Sequence, residues 1–470
     1  MTMVLAWMLA GAVAGPAATD DAAEAGTAIR AMLAAVPNTR FGLVVTDAAG
    51  VERIAIAPDD RFVPASNTKI LTTAAAYATL PMTDHDRAAT GIRIEGRNVV
   101  LHGAGDARLS GARDCVVDCL ATLADAVARR TRVVADVIGD DSLFPDQRWS
   151  PGMGWNNIPT RSGTGVSALT VDDNELVLTV SRAPGGGVRV DGPDYYRIDN
   201  RIDNRIASGS RTAIAYDRMP GSDRLRLWGS IGPAPEQIRV GIDDPAHFAA
   251  WTLARLLRER GVRVTGTVGT RHRPYRSTDD GAVVARPSAP PMLATTQPAP
   301  LSDDVAITNK RSQNLHAELL LRRAGAVAGT GSIADGVRQV ATMMAAAGVP
   351  RTAWDVSDGS GMSTYNRITP RAMVRLLQWI DRQPWGTAWH ATLPVAGVDG
   401  TLARRFRGTA LAGKLSAKTG SLSGTSALAG TMRAASGQVL TFAFYANDIP
   451  EGVSATPAMD AALLAVAARF

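Results

Sequence analysis

Strand-like segments at the two ends of the chain constrain its fold more than any other feature. Near the front, Phe41–Thr46 and Val51–Ile56 are apolar runs around a turn at Ala48-Ala49-Gly50, a pattern that predicts a β-hairpin. The chain closes with three further strand-like runs, at 412–419, 424–433 and 438–446. Two strands at the front and three at the back suit one sheet, divided in sequence by a long insertion.

Between these ends the residue pattern of the sequence changes twice. From about 91 to 286 it consists of short β-like runs with glycine and proline breaks, which predicts a β-rich inserted region of two subdomains. A proline-rich stretch, Pro287–Pro300, separates it from an alanine-rich helical part. Residues 26–90 and 287–470 are therefore expected to form one discontinuous domain. Apolar spacing and capping signals predict helices at 26–37, 68–80, 119–130, 246–260, 302–309, 314–325, 332–347, 370–382 and 457–469.

Composition describes an ordinary globular protein. Of the 470 residues, 46% are hydrophobic and 20% charged, which excludes disordered and fibrous classes. The formal net charge of +6 is modest for this length and could favour an anionic partner such as a cell-wall polymer. The basic residues form no patch typical of nucleic-acid binding, so no nucleic-acid partner is expected.

The N-terminus predicts export. Residues 1–14 are apolar and short and end in the small-x-small pattern Ala12-Val13-Ala14, which indicates a signal peptide cleaved near Ala14. Its first residues carry no lysine or arginine, so a buried helix or a mistaken start is the alternative. No later apolar run reaches the roughly 20 residues of a membrane span. We expect an exported, periplasmic protein without a transmembrane anchor.

The two cysteines, Cys115 and Cys119, would then face an oxidising compartment. Within one helix their spacing suits a disulfide poorly. If Asp118 caps a helix that starts at Cys119, Cys115 lies before it and can fold back. A local disulfide and free thiols both stay open, and a metal or redox pair is disfavoured because no histidine cluster accompanies them.

Lysine is scarce, and its positions are informative. Only four of the 50 basic residues are lysine: Lys69, Lys310, Lys414 and Lys418. An arginine-rich composition explains the scarcity but not the positions. Arginine stays charged, whereas a lysine amine can lose its proton when it is buried or lies beside another cation. Lys69 and Lys418 lie in short motifs that can use a titratable amine, while Lys310 could shape a pocket and Lys414 is expected to be solvated.

The first motif is Ser66-x-x-Lys69. Ser66 at a helix N-terminus would place its hydroxyl in a field that favours an oxyanion. Lys69, three residues on, occupies the same helix face and can reach the serine oxygen. With its pKa lowered by the nearby cation Lys418, Lys69 could act as the general base for a nucleophilic Ser66.

Two later motifs supply the remaining groups. In Ser312-Gln313-Asn314, the Ser312 hydroxyl can relay a proton to a leaving amine, and the Asn314 amide can bind a substrate peptide group. Lys418-Thr419-Gly420 predicts an exposed strand end: Lys418 and Thr419 suit a carboxylate, and Gly420 allows close approach of a backbone. The backbone N–H groups of Ser66 and Ser421 are the predicted oxyanion hole.

The set and its order resemble serine β-lactamases and penicillin-binding proteins. More specifically, the chain resembles the serine-type D-alanyl-D-alanine carboxypeptidase/endopeptidase family, the class C low-molecular-mass penicillin-binding proteins. The long stretch between Ser66 and Ser312 fits this family's large insertion. The supporting segments are Val63–Lys69, Asp358–Ser363, Leu393–Leu402 and Ser416–Leu422.

The resemblance implies a fold and a function. The fold is the penicilloyl-serine transferase fold of the α/β (α+β) class, a mainly antiparallel sheet flanked by helices, with a β-rich insertion. The expected activity is hydrolysis of D-alanyl-D-alanine or cross-link bonds in peptidoglycan through a Ser66 acyl-enzyme, without a cofactor or metal, with β-lactams as inhibitors. Two departures stand out: Gln313 replaces a frequent aspartate, and Gly103–Ala107 lacks the proline common after its aspartate.

Other classes fit less well. A class A β-lactamase would lack the insertion, and a non-catalytic wall-binding protein would be expected to lose Ser66 or Lys69. No Gly-x-Ser-x-Gly supports a Ser-His-Asp esterase. The six histidines are scattered, which disfavours a metallohydrolase, and His316 near Glu318 is expected to be an ordinary helix-surface histidine.

Overall fold

The computed structural model describes residues 16–82, 88–203, 211–283 and 291–470, with side chains from residue 24 onward. The predicted signal peptide, residues 1–14, lies outside the described residues. None of the described helices is both long and apolar enough to cross a membrane. The described helices are α1 (Pro16–Ala34), α2 (Thr68–Thr79), α3 (Leu120–Arg130), α4 (Pro245–Glu259), α5 (Leu301–Lys310), α6 (Asn314–Gly325), α7 (Ile333–Ala346), α8 (Pro370–Asp381), α9 (Gly386–His390) and α10 (Thr456–Arg469).

Strands occur at both ends of the chain and throughout the inserted region. They are β1 (Arg40–Thr46), β2 (Glu52–Ile56), β3 (Gly91–Glu95), β4 (Asn98–His102), β5 (Val133–Val134), β6 (Val137–Asp146), β7 (Glu175–Arg182), β8 (Val188–Asp191), β9 (Arg197–Asp203), β10 (Ala213–Asp217), β11 (Arg224–Ser230), β12 (Glu236–Gly241), β13 (Arg263–Val264), β14 (Val268–Pro274), β15 (Ala294–Thr295), β16 (Trp354–Asp355), β17 (Arg367–Ile368), β18 (Leu415–Leu422), β19 (Thr425–Arg433) and β20 (Val439–Asn447).

One antiparallel sheet joins the two ends of the chain, as the strand pattern predicts. Its order is β18-β19-β20-β1-β2. The run predicted at 412–419 is displaced: the strand begins at Leu415, because Gly413 has a positive φ of 69° and the chain turns there. Lys414 therefore lies before the strand, and it is exposed as expected.

Helices cover both faces of this sheet. Because successive side chains of a strand point to opposite faces, Val44 packs into one core while Leu43 and Val45 pack into another. The first core holds α2, α6, α7 and α8, and the second holds α1 and α10. This arrangement confirms the predicted fold class, an α/β architecture with a mainly antiparallel sheet flanked by helices.

The inserted region has its own core and a mixed sheet of order β14-β6-β4-β3-β15. Strands β4, β6 and β14 run parallel, and α3 and α4 pack on the sheet. The region also contains two smaller three-stranded sheets, β12-β7-β8 and β10-β11-β9, and the short pair β13-β5. The sequence Arg-Ile-Asp-Asn occurs twice in succession at 197–204, and its first seven residues form β9, an edge strand.

The cysteines are paired. Cys115 and Cys119 form a disulfide with their Cα atoms 5.7 Å apart. Helix α3 begins at Leu120, so Cys115 lies before the helix and folds back to Cys119. The spacing left this outcome open, and the structure decides it in favour of the local disulfide.

Candidate active site

Ser66 lies in a single turn of 3-10 helix, Ala65–Asn67, that leads directly into α2. Ala65 has a positive φ of 47°, and Gly361 packs against the turn so closely that a Cβ at that glycine would lie 1.9 Å from the carbonyl oxygen of Ala65. Only glycine fits there. The turn brings the Ser66 hydroxyl over the first turn of α2, where Lys69 lies on the same face.

Lys69 is completely buried and lies among three oxygen atoms. Its Nζ is 3.0 Å from Oγ of Ser66 and 2.7 Å from Oδ1 of Asn314. It also donates to the backbone carbonyl of Ser360 over 2.5 Å. The first and second motifs therefore meet at one amine.

Burial lowers the pKa of Lys69 to about 7, against the opposing charges of Asp358 and Glu318. The sequence pointed to the cation Lys418 as the cause; burial is the largest one, and the charge interaction between the two lysines acts on the pKa of Lys418. Desolvation penalises the charged form of an amine and is the larger effect here. At neutral pH a substantial fraction of Lys69 is therefore uncharged and able to accept a proton.

Lys418, on β18, pairs with the other serine. Its Nζ donates to Oγ of Ser312 and to the carbonyl oxygen of Thr419, over 2.9 Å in each case. The side chain is fully buried, and burial together with the charge of Lys69 holds the pKa of Lys418 well below its usual range. Each of the two candidate serines thus contacts one buried lysine.

The strand beyond Lys418 passes against the Ser66 turn. A Cβ on Gly420 would lie 2.6 Å from the carbonyl oxygen of Pro64, so glycine permits the close approach that the motif indicates. The hydroxyl of Thr419 donates to that of Thr401 over 2.7 Å. Ser421 follows on the same strand and is exposed. Roles for these three residues in substrate binding remain predictions.

Two buried carboxylates, to which no sequence motif assigns a role, support the Lys69 site. Glu318 accepts from the backbone N–H groups of Gly359 and Ser360, over 3.0 and 2.9 Å. Asp358 accepts from the N–H groups of Gly361 and Ser363, over 3.0 and 2.7 Å. Burial and the neighbouring charge of Asp358 raise the pKa of Glu318. These bonds hold the carbonyl of Ser360 against Lys69. The segment Asp358–Ser363 is recognisable as a motif in the sequence, but no local sequence pattern indicates that Glu318 contacts it.

His316 is not the helix-surface histidine that its position predicted. It is 1% exposed. Its Nε2 lies 2.8 Å from Oδ1 of Asp173, and its Nδ1 pairs with Asp304. The prediction failed because α6 is covered on this face by α5 and by a turn of the inserted region, neither of which the helical periodicity of 314–325 reveals.

Lys310 forms a salt bridge with Asp399, whose other oxygen accepts from the N–H of Val395 over 2.9 Å. Lys310 thereby ties the segment 395–399 to the end of α5, close to Ser312. A role in shaping the site fits this contact. Within the described ranges, no three histidine, cysteine, aspartate or glutamate side chains gather in a geometry that would hold a metal ion.

Comparison with known proteins agrees with this arrangement. Residues 27–469 match the model of the D-Ala-D-Ala carboxypeptidase 3 (S13) family. A D-alanyl-D-alanine carboxypeptidase of an Actinomadura species is 34% identical over 424 residues, which cover 85% of this chain and 76% of that protein. A carboxypeptidase of Mycobacterium tuberculosis is 30% identical over 465 residues, 96% of this chain and 85% of its own length.

A solved structure shares the fold. The crystal structure of penicillin binding protein 4 of Haemophilus influenzae superposes with a TM-score of 0.77 at 21% identity, covering 92% of this chain and 97% of that one. The same protein was also solved in complex with a β-lactam, with a TM-score of 0.72 at 20% identity over 93% of this chain and 98% of that one. From its sequence and its architecture, the chain belongs to the D-Ala-D-Ala carboxypeptidase 3 (S13) family, the group of penicillin-binding proteins that its motifs indicate.

Proposed function

We propose that this chain is an exported serine peptidase that hydrolyses D-alanyl-D-alanine bonds, or D-alanyl cross-links, in peptidoglycan through an acyl-enzyme at Ser66. The observation that carries the proposal is the fully buried Lys69 amine, 3.0 Å from the Ser66 hydroxyl and with a pKa of about 7, in a member of this family. An amine that is partly neutral at physiological pH is suited to accept the proton of the attacking serine.

Acylation would begin with transfer of the Ser66 hydroxyl proton to the neutral amine of Lys69. The Ser66 oxygen attacks the carbonyl carbon of the scissile bond, and the negative charge that develops on the carbonyl oxygen is stabilised by the backbone N–H groups of Ser66 and Ser421. When the tetrahedral intermediate collapses, the C–N bond breaks and the leaving amine needs a proton. Ser312, whose hydroxyl contacts Lys418, is suited to relay to it the proton that Lys69 took from Ser66, so that Lys69 is neutral again before deacylation.

Deacylation would reverse the roles of the attacking and leaving groups. Water attacks the ester carbonyl, gives up a proton to Lys69 and releases the Ser66 oxygen, which regains a proton. A β-lactam would form the same ester, but its amine remains covalently attached and obstructs the water, so the acyl-enzyme clears slowly. This difference explains why β-lactams are expected to act as inhibitors.

Substrate binding would use the outer edge of the sheet. Strand β18 is an edge strand, so an extended peptide can pair with it as one more strand. Lys418 and Thr419 would face the terminal carboxylate of the stem peptide or the carboxylate of the antibiotic. Asn314, held by Lys69, would bind a peptide amide of the substrate.

The domain division is part of the same proposal. We infer a catalytic domain built from residues 26–90 and 287–470, and an inserted region at 91–286. Separate apolar cores on the two sides support this division. Strand β15, at 294–295, pairs with β3, so the sheet of the inserted region includes one short strand from the segment assigned to the catalytic domain.

A fluorescent penicillin tests the proposal directly. Wild-type protein should carry one covalent label that survives denaturation, and Ser66→Ala should carry none. Ser436→Ala, which alters an exposed loop serine, is the matched control and should label normally. No label on the wild type, or undiminished label on Ser66→Ala, would refute the acyl-enzyme.

Mass spectrometry of muropeptides separates the two hydrolytic activities. Shortening of pentapeptides to tetrapeptides would identify a carboxypeptidase, and loss of cross-linked dimers an endopeptidase. Treatment with the Ser66→Ala variant supplies the baseline for both products. If purified muropeptides remained intact under conditions where the penicillin labels Ser66, hydrolysis of peptidoglycan would be disproved.

A further inference from the structure

The Ser312-Gln313-Asn314 loop has to satisfy two demands at once. Ser312 must meet Lys418 while Asn314 meets Lys69, over 2.9 and 2.7 Å. The backbone of Ser312 has a positive φ of 57°, a conformation that is uncommon for serine and that surrounding contacts help to maintain. Something outside the loop must therefore hold it in place.

The inserted region contacts this loop from behind. Gln313 donates through Nε2 to Oδ2 of Asp173 over 3.2 Å, and His316 Nε2 lies 2.8 Å from the other oxygen of the same carboxylate. His316 pairs through Nδ1 with Asp304, a buried residue of α5. One imidazole and two carboxylates thus connect α5, the start of α6 and the inserted region. We call Asp173, Gln313, His316 and Asp304 the clamp.

Charge strengthens the clamp. Burial by itself would lower the pKa of His316, but the carboxylates of Asp304 and Asp173 raise it to about 10. The ring is therefore protonated at neutral pH and donates from both nitrogen atoms. Hydrogen bonds between an imidazolium and a carboxylate are strong, and the His316–Asp304 pair is buried, whereas the carboxylate of Asp173 is partly exposed.

The turn that carries Asp173 is unusual in itself. Asp172, Asp173 and Asn174 have consecutive positive φ values of 50°, 56° and 51°. Asn174 holds this turn by donating to the carbonyl oxygen of Gly165 over 3.0 Å. The carboxylate of Asp172 points elsewhere and binds the hydroxyl of Ser110 and the N–H of Gly111 within the inserted region. Of the two aspartates, only Asp173 has described contacts with the second motif.

We propose that Asp173 is a positioning residue for catalysis: by holding Gln313 and His316 it sets the loop so that Ser312 and Asn314 meet the two lysines. The inference rests on the proposed function and extends it by giving the inserted region a part in the chemistry. It also accounts for Gln313 in place of the frequent aspartate, because a carboxylate at that position would face the carboxylate of Asp173.

Paired substitutions test the proposal. Asp173→Ala should lower the first-order rate of acylation by a fluorescent penicillin about 10- to 100-fold, the cost typical of a displaced catalytic group. The dissociation constant of the initial non-covalent complex should change less. Asp172→Ala alters the same turn without touching the loop and should acylate within about threefold of wild type. Wild-type acylation by Asp173→Ala, or an equal loss in Asp172→Ala, would overturn the proposal.

A double substitution that exchanges the acidic and amide side chains controls for misfolding of the alanine variant. Gln313→Glu should slow acylation because two carboxylates then oppose each other. Gln313→Glu combined with Asp173→Asn restores one donor and one acceptor with their roles reversed, and should recover at least tenfold over Gln313→Glu. Failure to recover would refute the contact as the positioning element. Absence of labelling in the wild type would instead reject the Ser66 acyl-enzyme, so the two failures are distinguishable.

Discussion

The inserted region and the catalytic cleft each bury a basic side chain completely, but its pKa is raised in the first and lowered in the second. In the inserted region, Arg218 donates to Oδ1 of Asp243 over 2.6 Å and stacks 4.6 Å from the ring centre of Tyr196. Burial opposes its charge, but the hydrogen bond to Asp243 raises the pKa of Arg218 above its ordinary value. Lys69 is buried as deeply, and its contacts are a hydroxyl, an amide oxygen and a backbone carbonyl. A buried cation that contacts a carboxylate keeps its charge and serves structure, whereas one whose hydrogen-bond partners are all neutral becomes titratable and suits catalysis.

The largest expected effect is on the cleft side of this comparison. Lys69→Arg keeps a positive charge but cannot accept a proton at neutral pH, so we expect acylation by penicillin to fall by about 10³-fold or more. Stopped-flow or quenched labelling measures the rate. Lys414→Arg changes an exposed lysine and is the matched control. Acylation of Lys69→Arg at the wild-type rate would eliminate Lys69 as the general base.

This contrast also explains which parts of the site the sequence could predict. Ser66 and Lys69 lie one helical turn apart, so their contact follows from local geometry. The sheet joining both ends follows from strand patterns, apart from the start of β18, which the turn at Gly413 displaces. Contacts between distant segments leave no such periodicity. Glu318 reaches the loop of Asp358, and His316 reaches Asp173, only because tertiary packing brings them together.

The structural cation should matter for folding and not for chemistry. Arg218→Met leaves Asp243 buried without its partner, so the free energy of unfolding should fall by about 3–5 kcal/mol. Urea denaturation followed by circular dichroism measures this change, while acylation of the folded protein should stay at the wild-type rate. Arg189→Met removes an exposed partner of Asp191 and should cost less than about 0.5 kcal/mol. An equally small cost for Arg218→Met would break the comparison.

The disulfide is a second structural feature of the inserted region, with a smaller expected effect. It closes a loop between residues only four positions apart, so replacing Cys115 and Cys119 by serine should cost about 2 kcal/mol of unfolding free energy by loop-closure entropy. Urea denaturation with and without a reductant provides the check, since reduction of the wild type should reproduce the variant. Loss of acylation in the folded variant would contradict a purely structural role.

The pH dependence of the acylation rate tests the pKa of Lys69 without any substitution in the cleft, and its expected effect is the smallest. Because burial lowers the pKa of Lys69 to about 7, the reactive neutral amine predominates above that pH and is protonated below it. The acylation rate should therefore reach half its plateau near pH 7 and fall about tenfold for each further pH unit toward acid.

In the inserted region, hydrogen bonds to Asp141 and Asp244 raise the pKa of His272 to about 10, so this histidine stays charged across the same range. Burial lowers the pKa of His247 below its usual value, and His247→Asn is the control that should leave the limb near pH 7 unchanged. Two results would show that Lys69 is not the titrating base. One is a shift of this limb in His247→Asn, and the other is a rate that stays flat between about pH 5 and 8, the range in which a group of this pKa titrates. Burial with only neutral hydrogen-bond partners would then no longer distinguish the catalytic cation from the structural one.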